Sequence, residues 1–521
     1  MNERRWLLLI AVCGGLLRLW LALRNLEVVD RLFVPDDTYY TLSIARSLAD
    51  GLGPSVEGQL TSGFQPLLAF VTAPVFAISS NPDAGLRFVL ILGAISDAFC
   101  IFALGDLARR LGGRHASLLA AALWALSPAA VSNALGGLET SLALALELWL
   151  VVCWCELRQR ATPKRAALCG LLAGLALLAR VDAVFLVACL GVSELLRRNF
   201  KGVASISGVA TLVVAPWWLY SWTHFGSVIP ESGDAVREIV RMHQTLYLKP
   251  PMQIGWALGS LLGVFGDTTR LKQALFDNAG ATWAMLIGGT VLGASFAKRW
   301  LAPRGRTAPI TAFAAHGVLL LGFYALFLPA IWFFPRYLAA TEATLVLAVA
   351  VFVSQLRTKT QTRIGYGAFA CGLACAAATT LPWLFLTPEQ TPSKGLHGAK
   401  GYRAAAREVL AMIPEGATLG ALQSGALSYY APGDVRVVNL DGVVNADALA
   451  AAKTHHLSQY AQQRGVTHFA DWKFNFEAFV RLSSAEELPA NVRFIGAGPP
   501  QGDDRFQVYV VEWRKAGSDP Q

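Results

Sequence analysis

Two adjacent carboxylates, Asp36 and Asp37, stand in the stretch FVPDDTYYTLSIARSLADG at residues 33–51. Each raises the cost of ionising the other, and the pair follows a run of membrane-span character. On one reading they are the polar start of a helix over 38–49, with one of them capping it. On the other, one is a base at the rim of a bilayer, set to take a proton from an attacking hydroxyl. Other ionisable groups lie at comparable places. Glu139 in GGLET opens an apolar run, where the helix dipole favours an acid. Arg180 and Asp182, in ARVD, bracket a break between two apolar runs. They read either as a local salt pair or as a functional pair, because ionisable groups at membrane depth are functional candidates. Arg18, inside the first apolar run, raises the same question. Arg336 and Tyr337, in WFFPRYLAA, open another run: a guanidinium fork there suits a phosphate, or an interfacial anchor like Trp332.

The elements that must hold these groups follow from composition. Of 521 residues, 54% are hydrophobic and 15% charged, against about 25% charged in soluble domains. The net charge of +9 does not imply a nucleic-acid partner, because Arg and Lys also collect in cytoplasmic loops of membrane proteins. The start, MNERRWLLLIAVCGGLLRLWLALRN, reads as an uncleaved signal anchor. Further apolar runs lie near 84–105, 115–134, 138–156, 165–179, 183–196, 202–222, 280–297, 308–330, 335–355 and 363–386, predicting about eleven transmembrane helices in all. Basic connections (MNERR, LARRLGGRHA, LRQRATPKR, LRRNFK, AKRWLAPRGR, QLRTKTQTR) alternate with acid-bearing ones, which places the N-terminus in the cytoplasm and Asp36, Asp37 and everything after 386 outside. Runs at 66–79 and 254–266, of roughly 13–14 residues, are short for a span and are expected to lie in the outer interface.

After residue 386 the composition turns polar. An amphipathic helix near 401–413 and strands in TLGALQSG, VRVVNLDGVV, THFADWKF and RFQVYVVEW predict an α/β domain of about 130 residues. The fold class is thus mainly α: a polytopic membrane domain over 1–386 and an extracytoplasmic α/β domain over 387–521. All eight cysteines fall in predicted spans, so the outer domain has no disulfide framework. Tyr429, Tyr430 and Trp472 could stack on sugar rings or fill that domain's core. His243, His455 and His456 lack acidic or cysteine partners at ligand spacing, so no metal site is assigned.

The order of these features resembles the GT-C membrane glycosyltransferases: aspartates after the first helix, a glycine-rich outer loop (SLADGLGPSVEGQLTSGFQPLLAF), GGLET, and ARVD. Bacterial polyprenyl-phosphate-dependent arabinofuranosyltransferases are the most similar group in appearance. The resemblance covers about the first 240 residues clearly and the rest loosely. It implies an inverting transfer of a sugar, with arabinofuranose favoured, from a polyprenyl phosphate to an extracytoplasmic glycan, lipid or protein. Asp36 would be the base, while Asp37 would orient it, raise its pKa or bind a divalent cation, and the two could exchange roles. No other cofactor is implied. Glu139 would lie near the cavity, and Arg180 and Arg336 would face the donor phosphate, with Asp182 holding Arg180. The segment HFGSVIPESGDAVREIVRMHQ, 224–244, would line the acceptor side through His224, Glu231 and Arg237, although Glu231 stands where the family pattern has asparagine.

The expected location is a bacterial inner membrane, among membrane lipids. Three rivals stand beside this reading. One is a mannosyl- or aminoarabinose-type transferase, separated by donor identity. Another is a transporter or flippase, which would place its carboxylates near the midplane, often within internal repeats. The last is a non-catalytic assembly subunit that binds without turnover.

Overall fold

The computed structural model describes residues 3–246, 250–285, 307–391, 401–501 and 504–513, which fall into two compact units. The run expected over 280–297 lies for the most part outside the described residues, as does the side chain of His243.

The first unit comprises Met1–Leu23, Leu90–Tyr220 and Val240–Phe385, and its described elements are helical. Backbone in hydrocarbon must satisfy its own polar groups, and a helix does so within one segment. Among the described residues, six helices are long and apolar enough to cross a membrane: Glu3–Leu23, Pro82–Leu126, Thr140–Gln159, Phe200–Phe225, Ala308–Leu326 and Lys359–Leu384. The pair Ile331–Tyr337 and Ala339–Ser354, bent by 57°, makes a seventh if taken as one span. By the length and composition of these helices the chain is a polytopic membrane protein. Pro82–Leu126 carries the run at 84–105 and most of that at 115–134 in one element of 45 residues, turned at Gly113 (φ 77°, ψ −160°).

The runs at 165–179 and 183–196 form helices of 17 and 12 residues, Pro163–Ala179 and Val184–Leu195. Thr162 accepts the Arg165 amide and Pro163 occupies the first turn, so the start of the first is well capped. It ends at Arg180, whose backbone is extended (φ −152°, ψ 129°), and a single 3-10 turn, Val181–Ala183, follows. The sequence ARVD is therefore a break between helices. Small residues bring helices close elsewhere in the unit. A Cβ added at Gly170 would stand 2.7 Å from the Ile206 carbonyl oxygen, a contact typical of close crossings in membranes.

Arg18 is fully buried in this unit. It donates to the carbonyls of Gly14, Trp124 and Ala125 and lies 2.5 Å from Asp97, which also accepts from the Trp124 indole. Every arm of the guanidinium is thus met inside the helix packing, as a buried charge requires.

The second unit comprises Arg24–Val89, Ser221–Ile239 and Leu386–Gln521. Its first segment holds the helices Leu26–Phe33, Asp37–Ala49 and Pro66–Ile78 and a hairpin of β1 (Ser55–Val56) with β2 (Gln59–Leu60). The short apolar helices Pro66–Ile78 and, in the first unit, Met252–Val264 are well below the roughly 20 residues of a span.

The later segment holds β3 (Thr418–Ala421), β4 (Arg436–Asn439), β5 (His468–Trp472), β6 (Asn491–Gln501) and β7 (Asp504–Glu512) in one sheet of order β4-β3-β5-β7-β6. β3 pairs in parallel with β4 and β5, and β7 pairs antiparallel with β5 and β6. From β3 the chain goes to β4 on one side and then to β5 on the other, which makes β3 a switch point where open α/β sheets carry ligands at their carboxyl ends. Leu422, Val438, Leu440, Phe469 and Phe479 pack in the core beside β3, β4 and β5. Trp472 is buried edge-on against Phe506 at 4.9 Å, and Tyr429 is buried with its hydroxyl donating to the Pro82 carbonyl. Both are core residues. β6 was not foreseen from the sequence, since its NVRFIGAGPPQ carries the glycines and prolines of a turn.

Candidate active site

Candidate groups gather in each unit separately. In the second unit, Asp36 occupies the N-cap position of the Asp37–Ala49 helix, yet its side chain makes no cap bond. Its two carboxylate oxygens instead accept the amides of Gly425 and Ala426, each at 2.8 Å. Those amides open the short helix Gly425–Tyr430 that follows the carboxyl end of β3. Asp36 is 5% exposed. Burial pushes its pKa up to about 8, against the pull of the two amides and with the help of the Asp37 and Asp441 charges. Asp37, in the first turn of its helix, keeps an intermediate exposure.

The loops at the carboxyl ends of the parallel strands complete this cluster. Asp441 follows β4, accepts the Val443 amide at 2.8 Å, and is pushed up to about 7 by burial. Asp471, at the end of β5, accepts the amides of Leu422 and Gln423 at 2.6 and 3.1 Å and the Asn475 side chain at 2.6 Å. The Tyr40 hydroxyl, one turn from Asp36, accepts from the Ser424 amide at 3.1 Å and the Asn439 side chain at 2.9 Å. Backbone amides thus tie the loop after β3 to both Asp36 and Asp471. Sequence reasoning missed Asp441, Asp471 and Gly425. Its one signal was the glycine and asparagine content of LQSG and NLDG.

Glu231 in the same unit accepts weakly from the Ser62 amide (3.3 Å) and the Thr61 hydroxyl (3.4 Å), while its own amide donates to the Ser62 hydroxyl. It anchors the loop after β2. His224 is exposed and contacts Thr223, and Arg237 pairs with Asp234 at 3.4 Å. His455 and His456 engage the Arg481 carbonyl and Glu487. Among the described residues, no group of three or more His, Cys, Asp or Glu side chains is arranged to hold a metal ion.

In the first unit the break at ARVD builds a charged cluster. Arg180 donates to Glu139 at 2.9 Å and by two nitrogens to Asp182 at 3.0 and 2.7 Å. The Tyr324 hydroxyl donates to Asp182 at 2.6 Å, and its ring stacks on Tyr337 at 4.3 Å. Arg336 lies over the Phe333 ring at 4.0 Å and the Tyr337 ring at 5.3 Å. A small cleft is lined by Thr140, Glu147, Arg180, Asp182, Arg336 and Tyr337 among others. The buried His316 stands 3.4 Å from the Glu147 carboxylate. Five of the residues of this unit singled out from the sequence (Glu139, Arg180, Asp182, Arg336 and Tyr337) are thus neighbours, while Arg18 pairs with Asp97. Glu147, His316 and Tyr324 were overlooked, although an acid and a histidine inside apolar runs are themselves a signal.

Chemically, the first cluster offers two guanidinium groups beside aromatic faces in an apolar surround, which suits an oxyanion attached to a lipid. The second offers paired carboxylates, one sheltered and one more open, which suits proton transfer.

Comparisons with known proteins agree with these elements. Residues 64–220 match the family described as Dolichyl-phosphate-mannose-protein mannosyltransferase. A search of curated proteins returns no match. ArnT from Cupriavidus metallidurans bound to undecaprenyl phosphate is similar in fold, with a TM-score of 0.57 at 14% identity over 98% of this chain and 99% of that one. Its apo state gives 0.57 at 12% identity, over 96% and 97% of the two chains. The Archaeoglobus fulgidus oligosaccharyltransferase, in complex with Zn and sulfate, gives 0.53 at 14% identity, over 95% of this chain and 72% of that chain.

Proposed function

We propose that the chain is an inverting glycosyltransferase that moves a sugar from a polyprenyl phosphate to an acceptor hydroxyl outside the cell membrane. The observation that carries the reading is the likeness over nearly the whole chain to a structure holding undecaprenyl phosphate, together with a cleft lined by Arg180 and Arg336 in the helical unit.

The acceptor oxygen attacks the anomeric carbon, the bond from that carbon to the phosphate oxygen breaks, and its electron pair leaves on the polyprenyl phosphate. Guanidinium groups stabilise the charge that develops there. An aspartate of the Asp36–Asp37 pair takes the hydroxyl proton, a role worth about 10²–10⁴-fold in rate. Arg180, already engaged by Asp182 and Glu139, is held in one orientation by them, and Arg336 supplies the second cation. No step here needs a metal, and a divalent cation near Asp37 stays a separate proposal.

For the sugar, arabinofuranose remains the favoured donor, with aminoarabinose-type donors next. A mannosyl donor is the second reading, favoured by the family match over 64–220. The N-terminus is assigned to the cytoplasm and residues 387–521 to the outer side, from the alternation of basic loops.

The test is release of free polyprenyl phosphate by the purified protein, offered polyprenyl-phosphate arabinofuranose, aminoarabinose and mannose with membrane-extract acceptors. Turnover with one donor names the sugar. Failure to bind or turn over any donor removes the transferase reading in favour of a transporter or a non-catalytic subunit.

A further inference from the structure

The paired aspartates are treated very differently by the fold. Both oxygens of Asp36 already accept backbone amides, from Gly425 and Ala426, and the side chain is 5% exposed. The fit is close on the other side too. A Cβ at Gly425 would stand 2.4 Å from the Asp36 carbonyl oxygen and 2.9 Å from its Oδ2. Only glycine lets that amide reach the carboxylate. The loop bearing these amides is in turn fixed to β5, because Asp471 accepts the amides of Leu422 and Gln423, and Tyr40 bonds Ser424. Asp37, next in the chain, retains intermediate exposure at the carboxyl ends of the parallel strands.

From this geometry we infer that Asp37 is the carboxylate that takes the acceptor proton, and that Asp36 is a positioning residue through which the loop after β3 fixes Asp37. This rests on the transferase reading above. In the step, the acceptor O–H bond breaks and its proton passes to the Asp37 carboxylate as the new bond to the anomeric carbon forms. The electron pair of the broken bond to phosphate departs with the lipid. A group buried as Asp36 is has little access to an acceptor hydroxyl, which agrees with this division of labour. The α/β segment is then part of the catalytic apparatus: without Gly425 and Ala426 the base would not be held.

The experiment compares Asp36→Asn, Asp37→Asn, Gly425→Ala and Ala426→Pro with wild type in the polyprenyl phosphate release assay, using the donor that wild type turns over. Undecaprenyl phosphate binding and melting temperature control for folding. Asp37→Asn is expected to lose about 10²-fold or more in kcat with little change in KM. Asp36→Asn and the two loop variants should share a smaller loss, about tenfold, because each loosens the same clamp. Formate should restore activity to Asp37→Ala and not to Asp36→Ala.

Separately, hydrogen exchange over residues 422–428 should quicken in Asp36→Asn and stay unchanged in Asp37→Asn. Formate rescue of Asp36→Ala, or an equal loss in the two asparagine variants, overturns the assignment of the base. Unchanged exchange in Asp36→Asn overturns the clamp. If wild type turns over no donor, the transferase reading and the base assignment fall together, and the exchange measurement alone decides the clamp. Ala426→Pro removes one donating amide and sets its ring Cδ against the Asp36 carboxylate, so if neither loop variant folds, hydrogen exchange in Asp36→Asn still decides the clamp.

Discussion

The carboxylate of Asp36 accepts the backbone amide of Gly425 at 2.8 Å across 389 residues of sequence. A side chain shortly after the apolar helix Glu3–Leu23 is thereby tied to a loop that follows the apolar helix Lys359–Leu384. Four expectations follow from this relationship and from its counterpart in the helical unit.

Gly425→Ala is destabilising even though alanine favours helix. The added Cβ would meet Asp36 backbone at 2.4 Å, and overpacking against backbone costs about 1–3 kcal/mol. A fall in melting temperature in detergent, larger than that of Gly433→Ala, whose Cβ meets open space, is the expected result.

Stability depends on pH through the sheltered acids. The folded pKa of Asp36, about 8, lies above the ordinary 3.8, and that of Asp441, about 7, does likewise. The folded state therefore binds more protons than the unfolded one between these values. The contribution is full below the unfolded pKa and is lost as pH rises through the folded one. Between about pH 5 and pH 8, wild type should lose melting temperature relative to Asp36→Asn, by several °C. A flat difference across that range contradicts the burial argument.

Arg180→Gln leaves Glu139 and Asp182 facing each other without their cation. Removing one partner of a buried ion pair costs about 3–5 kcal/mol, so this variant should unfold well below wild type. Arg336→Gln removes the guanidinium that lies over the Phe333 and Tyr337 rings. It should lose undecaprenyl phosphate affinity by about 1.5–3 kcal/mol, as for a hydrogen bond to a charged group, with a smaller fall in melting temperature than Arg180→Gln. Calorimetry on both variants separates a structural arginine from a binding one.

Trp472→Ala tests whether the aromatic residues after 386 serve sugars or the core. Trp472 is 1% exposed and packs on Phe506 and Tyr402. Truncation of such a residue costs about 3–5 kcal/mol. Loss of the folded α/β segment is expected, rather than a selective rise in the KM for acceptor.

Much of this was legible from local pattern. Apolar length marked the membrane helices, because hydrocarbon imposes its requirement on each segment by itself. Alternation located β3, β4, β5 and β7, since a strand's two faces are a property of neighbouring residues. Arg180, Asp182 and Arg336 declared themselves as charges among apolar residues. Local pattern also proposed Asp36 as a helix cap, and there the structure departed from it: the cap position is filled and the cap bond is not made.

The sequence by itself determined the class of protein, the place of the paired aspartates after the first span, and several of the ionisable groups set among apolar runs. Only the tertiary structure decided what those groups touch. Tyr324 reaches Asp182 across 142 residues, Glu139 reaches Arg180 across 41, and the amides of Gly425 and Ala426 separate two aspartates that look equivalent in the chain. Hydropathy and periodicity are set by near neighbours, so they are written in short stretches. The exposure and hydrogen bonding of a single carboxylate are set by whichever distant backbone the fold brings against it.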